Sequence, residues 1–272
     1  MAIDDITLAG GMRNDLVSLQ NVAALQARTS ERLSTGKKVN SAVDDPSAYF
    51  AAQNELDRAN DLSARKDDMG EAIQTVTAGL QGIDGITTLI QQAQGLATSA
   101  LSADTTDRAS LATQFDALRT QIDQLASDSS YKGTNFLKAG SLTVNFNESG
   151  TSSLTITGFD ATTASTGLNI AASTNAWASN SDISAASTAL STALNTLRTQ
   201  ASTLSSSNGV ITARQDFTTN LINTLTTGAD NLTAADTNEE GANMLALQTE
   251  QQLGVVALQL SSQSQQSILR LF

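Results

Sequence analysis

Gly241-Ala-Asn-Met-Leu-Ala-Leu-Gln-Thr-Glu-Gln-Gln-Leu-Gly-Val-Val-Ala-Leu-Gln-Leu-Ser-Ser-Gln-Ser-Gln-Gln-Ser-Ile-Leu-Arg-Leu-Phe272 carries Glu250 and Arg270 as its only charges. On a helix turning about 100° per residue, Leu245, Leu253, Val256, Leu260 and Leu271 share one side. Met244, Leu247, Val255, Leu258, Leu269 and Phe272 fall nearly opposite. A helix that packs on one surface needs one apolar stripe, so two opposed stripes call for cover on two sides. The intervening residues are mostly Gln and Ser, whose neutral groups cost less to bury than charges. At the other end of the chain Leu8, Met12, Leu16, Leu19 and Val22, continuing to Leu33, recur at spacings of three and four. That N-terminal stripe covers one side of the C-terminal helix. The second side calls for other copies of the chain.

The composition narrows the chemistry. The 272 residues include no histidine and no cysteine, which removes thiol nucleophiles, disulfides, thiolate zinc sites, imidazole ligands and Ser–His–Asp triads. With 15 Lys+Arg against 27 Asp+Glu the net charge is −12. That argues against nucleic acid, whose phosphates need clustered cations, and against an anionic membrane surface. Aromatics are only 4% and one proline is present. Much of the apolar content is alanine, which favours helix but buries little surface. No apolar run approaches the roughly 20 residues of a membrane span, and the start Met1-Ala-Ile-Asp-Asp5 lacks the basic and apolar regions of a conventional signal peptide.

Between the two ends the pattern predicts a mainly α fold. The N-terminal stripe stops at Ser34-Thr-Gly-Lys-Lys38, where Gly36 offers a helix C-cap. A polar connector then runs to Asp44-Asp45-Pro46, with Asp45 as N-cap and Pro46 in the first turn. A heptad frame follows at Met69, Ile73, Val76, Leu80, Ile83, Thr87, Ile90, Gln94, Ala97 and Leu101, roughly 50 Å of helix. Leu111, Phe115, Leu118, Ile122 and Leu125 mark a third helix, and Tyr131 to Asn135 a turn. Leu142, Val144 and Phe146, then Leu154 and Ile156, alternate with polar residues and predict a small β-hairpin near 141–157. Asp160 to Ser181, rich in Ser, Thr, Asn and Ala, reads as an irregular surface segment. Helix returns from Leu190 to Leu225 with Asn208, Gln215 and Thr218 at seam positions, where polar residues fix register at a cost in stability. Thr226-Thr-Gly228 ends it, and Asp236 with Glu239 forms a capping box for the last helix.

Three stretches resemble bacterial flagellin. Glu31-Arg-Leu-Ser-Thr-Gly-Lys-Lys-Val-Asn-Ser-Ala-Val-Asp-Asp-Pro46 is similar to the junction between that family's two N-terminal helices. Asn243 to Gly254, with the ending Ser264-Gln-Gln-Ser-Ile-Leu-Arg-Leu-Phe272, resembles its C-terminal helix, and Tyr131-Lys-Gly-Thr-Asn-Phe-Leu137 the turn after its third helix. The likeness covers about residues 3–137 and 183–272 and is nearest the short alphaproteobacterial type. It implies long antiparallel helices from both chain ends in a coiled-coil-like rod. Residues 1–43 with 236–272 would form an inner terminal-helix domain, the filament core, and 44–235 an outer helical domain. Only residues 138–182 lie where larger flagellins insert further domains, too few for one of usual size.

The function the resemblance implies is mechanical: subunits polymerise into the extracellular flagellar filament and its rotation gives thrust. Its partners would be other flagellin subunits, hook-associated and cap proteins and a flagellar export chaperone, with no nucleic acid, no membrane and no cofactor. The chain would leave through type III export without a cleaved signal peptide. A hook–filament junction protein shares the terminal helices, but the ending at Ser264 to Phe272 favours the filament subunit. A signalling coiled coil would require membrane spans, and an inserted metalloprotease two histidines. Contacts between copies are assigned to Leu8, Met12, Leu16, Leu19, Leu253, Val256, Leu258 and Leu260. Gly36, Lys37 and Lys38 do not complete a phosphate loop, since position 31 is Glu and Lys38 stands where Ser or Thr is needed. They read as a connector whose lysines meet Asp44 and Asp45, or a neighbour's acids. Thr151, Ser152, Ser153, Thr162 and Thr163 are candidate acceptors for O-linked glycans. Gln92, Gln94 and Gly95 precede Leu96-Ala97 where receptor-activating flagellins carry charges, so the resemblance implies weak recognition by the innate immune receptor.

Overall fold

The computed structural model describes residues 10–269. It holds α1 (Gly10–Thr35), α2 (Pro46–Ser102), α3 (Thr105–Asp128), β1 (Ser141–Asn145), β2 (Ser153–Thr157), α4 (Asn180–Thr233) and α5 (Thr237–Leu269). The helix starts follow from their caps. Asp45 Oδ1 accepts the Ala48 N–H at 3.0 Å, and Asp104 accepts the N–H groups of Thr106 and Asp107. Asp236 Oδ1 accepts those of Asn238 at 2.9 Å and Glu239 at 3.3 Å. The reciprocal arm expected from Glu239 does not form among the described residues. The helix end read at Thr226-Thr-Gly228 is overturned, because α4 continues to Thr233. A glycine inside a helix costs only about 1 kcal/mol, and Leu225 and Ala229, buried on either side of Gly228, hold the turn in place.

The chain divides into two compact units, Met1–Asp57 with Thr224–Phe272, and Arg58–Asn223. In the second, α2 and α4 run antiparallel. Gln215 Nε2 donates to the Lys66 carbonyl at 3.3 Å, while Gln94 Nε2 reaches Ser191 Oγ at 3.3 Å. Their seam buries Met69, Val76, Ile83 and Ile90 with Leu190, Leu197, Leu204 and Ile211, close to the heptads that the sequence predicts. Asn208 on that seam has its Oδ1 buried without a partner among the described residues. The hairpin pairs Leu142 with Ile156 and Val144 with Leu154, and its inner face is Val144 and Ile156.

The segment from Asp160 to Ser181 corrects the expectation of an irregular surface loop. Ala161, Leu168, Ile170 and Trp177 are buried in the same core. Side chains of α3 fasten the segment's polar groups. Asp123 accepts the Thr163 N–H at 2.7 Å and its hydroxyl at 3.0 Å. Asp116 accepts the N–H and hydroxyl of Ser173 at 2.9 and 2.6 Å, and Arg119 Nε donates to the Ile170 carbonyl at 2.8 Å. Asn175, Ala176 and Trp177 take φ of +49°, +49° and +58°, a left-handed conformation costing about 1–2 kcal/mol per L-residue. Burial of the Trp177 ring, 5.0 Å from Phe115, offsets that strain.

Candidate assembly surface

Within the first unit α1 and α5 pack antiparallel. Met12 shares a groove with Leu258, Leu19 lies against Gly254, and Arg32 Nη1 binds Glu240 Oε1 at 2.8 Å. The partner on α5 therefore falls steadily as the α1 position rises. The α5 residues on this contact are Glu240, Met244, Leu247, Gln251, Gly254, Leu258 and Ser261, all buried or half-buried and spaced four and three as a heptad seam requires. Gly254 permits the close approach, since a Cβ there would stand 2.9 Å from Leu19 Cδ2. The α1 face is Met12, Leu19, Val22, Thr29 and Arg32.

The other stripe of α5 is open. Leu245, Leu253, Val256 and Leu260 are 67%, 64%, 59% and 68% exposed. On α1, Leu16, Val17 and Leu25 are exposed as well. The residues assigned to contacts between copies thus separate into two sets. Leu16, Leu253, Val256 and Leu260 face outward. Met12, Leu19 and Leu258 are half-buried in the α1–α5 contact, and Met12 and Leu258 also line an open groove of about 520 Å³ with Val255 and Gln259. Leu8, Leu271 and Phe272 lie outside the described residues, as does the Leu269 side chain.

The connector is tied to the α4–α5 turn by its backbone. Gly36, at φ +69°, closes α1 as its left-handed cap, and its carbonyl accepts the Ala235 N–H at 2.9 Å. Lys38 N–H donates to the Thr233 carbonyl at 2.7 Å, and Lys37 bridges Ala234. The expected lysine–aspartate pairing is absent: among the described residues neither Lys37 nor Lys38 forms an ion pair with Asp44 or Asp45. Each aspartate is committed to backbone instead. Asp44 Oδ2 accepts the N–H groups of Asn40 and Ser41 and the Ser41 hydroxyl. Those bonds, the Ser41 N–H first, hold its carboxyl below the usual aspartate range. No described cluster of acids could hold a metal ion.

Of the candidate glycan acceptors, Thr151 and Ser153 are exposed and Ser152 half-buried beside the hairpin loop. Thr162 and Thr163 are withdrawn, because they are 8% and 4% exposed. Thr162 Oγ1 donates to Asp160 at 2.7 Å and Thr163 Oγ1 to Asp123 at 3.0 Å, so neither hydroxyl is free. Sequence reasoning missed the Arg32–Glu240 pair. Its signal was a cation in the last turn of one terminal helix and an acid in the first turn of the other.

Residues 12–141 match the bacterial flagellin N-terminal helical region, and residues 187–272 match the bacterial flagellin C-terminal helical region. Flagellin FljM of Caulobacter vibrioides is 35% identical over 280 residues, covering 100% of both chains. A flagellin of Brucella melitensis is 31% identical over 275 residues, covering 94% of this chain and 96% of its own. The crystal structure of Bacillus cereus flagellin aligns with 56% of this chain and 88% of its own at a TM-score of 0.47 and 18% identity.

Proposed function

This chain belongs to the bacterial flagellin family, and we propose how it performs that family's work as a structural subunit of the flagellar filament. Flagellins polymerise with one another, the filament lies outside the cell, and its rotation drives swimming. None of the described helices is long and apolar enough to cross a membrane. In this reading residues 1–43 with 236–272 form the inner filament-core domain and 44–235 the outer helical domain, without a bulky insertion. Assembly covers Leu8, Leu16, Leu253, Val256 and Leu260 with sister chains, while Met12, Leu19 and Leu258 set the α1–α5 register and border the groove that a neighbour fills.

One observation carries the reading: four large aliphatic side chains stand open along α5, on the side that α1 leaves free. A stripe of that kind marks an interaction site rather than a solvated surface. The chain is exported unfolded by the flagellar type III route, accompanied by an export chaperone. In the flagellum it meets hook-associated and cap proteins. Thr151, Ser152 and Ser153 are the remaining places for O-linked glycans, a proposal that an unmodified intact mass of filament protein removes. Recognition by the innate receptor is weak, to be read as low signalling by purified monomer in reporter cells.

The test of assembly removes α5. A chain ending at residue 235 is expected to stay soluble and largely helical yet form no filament, alone or on seeds. Filaments from that truncation would defeat the proposal.

A further inference from the structure

Among the described residues, two more apolar patches stay open once the α1–α5 stripe is set aside. The first is a knob. Val43, on the connector, is 93% exposed, and Phe50, one turn into α2, is 58% exposed with its ring edge-on to Tyr49. Asp44 and Asp45 follow Val43 directly. Each commits one carboxylate oxygen to local N–H groups, so Asp44 Oδ1 and Asp45 Oδ2 have no partner among the described residues.

The second is a cleft of about 200 Å³ between the hairpin loop and α4. Leu62, Phe146 and Leu221 wall it, and Phe217, 58% exposed, stands at its mouth. Val210, one heptad earlier on α4, extends the apolar face at 44% exposure. Two cations border the cleft. Arg58 Nε is held by Glu148 at 2.8 Å. Arg214 lies over the Phe146 ring at 5.2 Å and meets no carboxylate among the described residues.

We propose that the Val43–Phe50 knob of one copy docks in the Phe146–Phe217 cleft of another, with Asp44 or Asp45 of the first copy meeting Arg214 of the second. The occupant is a second copy because the two patches match in polarity and in sign: exposed apolar side chains flanked by carboxylates, and an apolar recess flanked by a guanidinium that meets no carboxylate among the described residues. In a chain of net charge −12, such a contact also lets like-charged subunits approach at a place where opposite charges face each other. Knob and cleft are different surfaces, so the contact is heterologous and propagates instead of closing into a dimer. It rests on the filament reading above and adds to it a contact that does not use α1 or α5.

The absence of cysteine from the chain gives a direct test. Val43→Cys and Phe217→Cys are made in separate chains, mixed, grown on seeds of the unsubstituted protein, oxidised mildly and run on a non-reducing gel. A disulfide needs the two Cα atoms within about 7 Å. Covalent dimers are expected in filaments of the mixture, and none in the unpolymerised mixture or in filaments of either variant alone. Filaments of the mixture without dimers overturn the contact and leave the filament reading standing. Dimers from one variant alone would mean a two-fold contact and overturn it as well. Should either thiol chain be excluded from filaments, Phe217→Ser decides. It is expected to raise the protein concentration needed for assembly about four- to twentyfold with unchanged thermal unfolding of the monomer, and an unchanged concentration rejects the contact. If the unsubstituted chain itself forms no filament, both proposals fall together.

Discussion

Replacing Leu253 and Leu260 by serine in one chain isolates the open stripe of α5 from the face that α1 covers. Both side chains are about two-thirds exposed in the single chain, 64% and 68%. Their removal therefore changes the monomer little, within about 0.5 kcal/mol for a surface substitution. On the proposed assembly the same side chains lose that exposure in the filament. Full burial of a leucine is worth about 1.5–3 kcal/mol, so covering the remaining two-thirds is worth about 1–2 kcal/mol each. The pair then contributes about 2–4 kcal/mol to every subunit added, and its loss raises the critical concentration roughly 30- to 1000-fold. The assay is sedimentation of seeded filaments across a concentration series, with circular dichroism of the monomer as the check on folding. Leu258→Ser is the contrast. That residue is half-buried against α1, so its loss should loosen the helix pair in the monomer before it touches assembly. A double serine variant that polymerises at the parent's concentration would refute the assignment, because the stripe would then remain wet in the filament.

Trp177→Ala should cost about 3–5 kcal/mol, read as a lowered urea midpoint, because it empties a fully buried site and leaves the left-handed turn at Asn175 to Trp177 without the ring that holds it. A loss under about 1 kcal/mol would mean that the segment is held elsewhere. Acid should loosen the hairpin loop. A backbone N–H and the Arg58 guanidinium hold the Glu148 carboxyl below its ordinary 4.5. A depressed folded-state value stabilises the fold above the unfolded-state value and loses that contribution as pH falls through the folded one. Protection from hydrogen exchange at residues 147–152, taken relative to the intrinsic rate at each pH, is therefore expected to fall below about pH 4.5 in the parent, and to be less pH-dependent in Glu148→Gln. Identical profiles would contradict the assignment.

How far the sequence foretold the molecule depends on whether a contact repeats. The two terminal helices and the hairpin were legible because their apolar residues recur at helical or alternate spacing, as at Leu253, Val256 and Leu260 or at Val144 and Ile156. The segment from Asp160 to Ser181 was not, because it is held by contacts made once each. Asp116, Arg119 and Asp123 reach out from α3 to backbone groups and hydroxyls, and Leu168, Ile170 and Trp177 are buried without a period. The end of α4 was misread for a related reason: Gly228 is a stop signal only where no packing on either side favours continuing.

The assembly surface shows the same boundary more finely. An apolar stripe drawn at 100° per residue puts Val255 beside Leu258, yet Val255 is 45% exposed and the seam at that level is filled by Gln251 and Gly254. Gly254 sits there because a Cβ would stand 2.9 Å from Leu19 Cδ2, so the close approach of the two helices leaves no room for a larger side chain at that position. Hydropathy therefore reports that a face is covered and is silent on what covers it. The open stripe on α5 is the case where that distinction matters, since nothing within the described chain lies over it. In a chain built to fold alone, Leu245, Leu253, Val256 and Leu260 would be a liability for solubility. On the assembly proposed above they are the subunit's share of an interface, so that the apparent defect of the single molecule becomes the condition for building the filament.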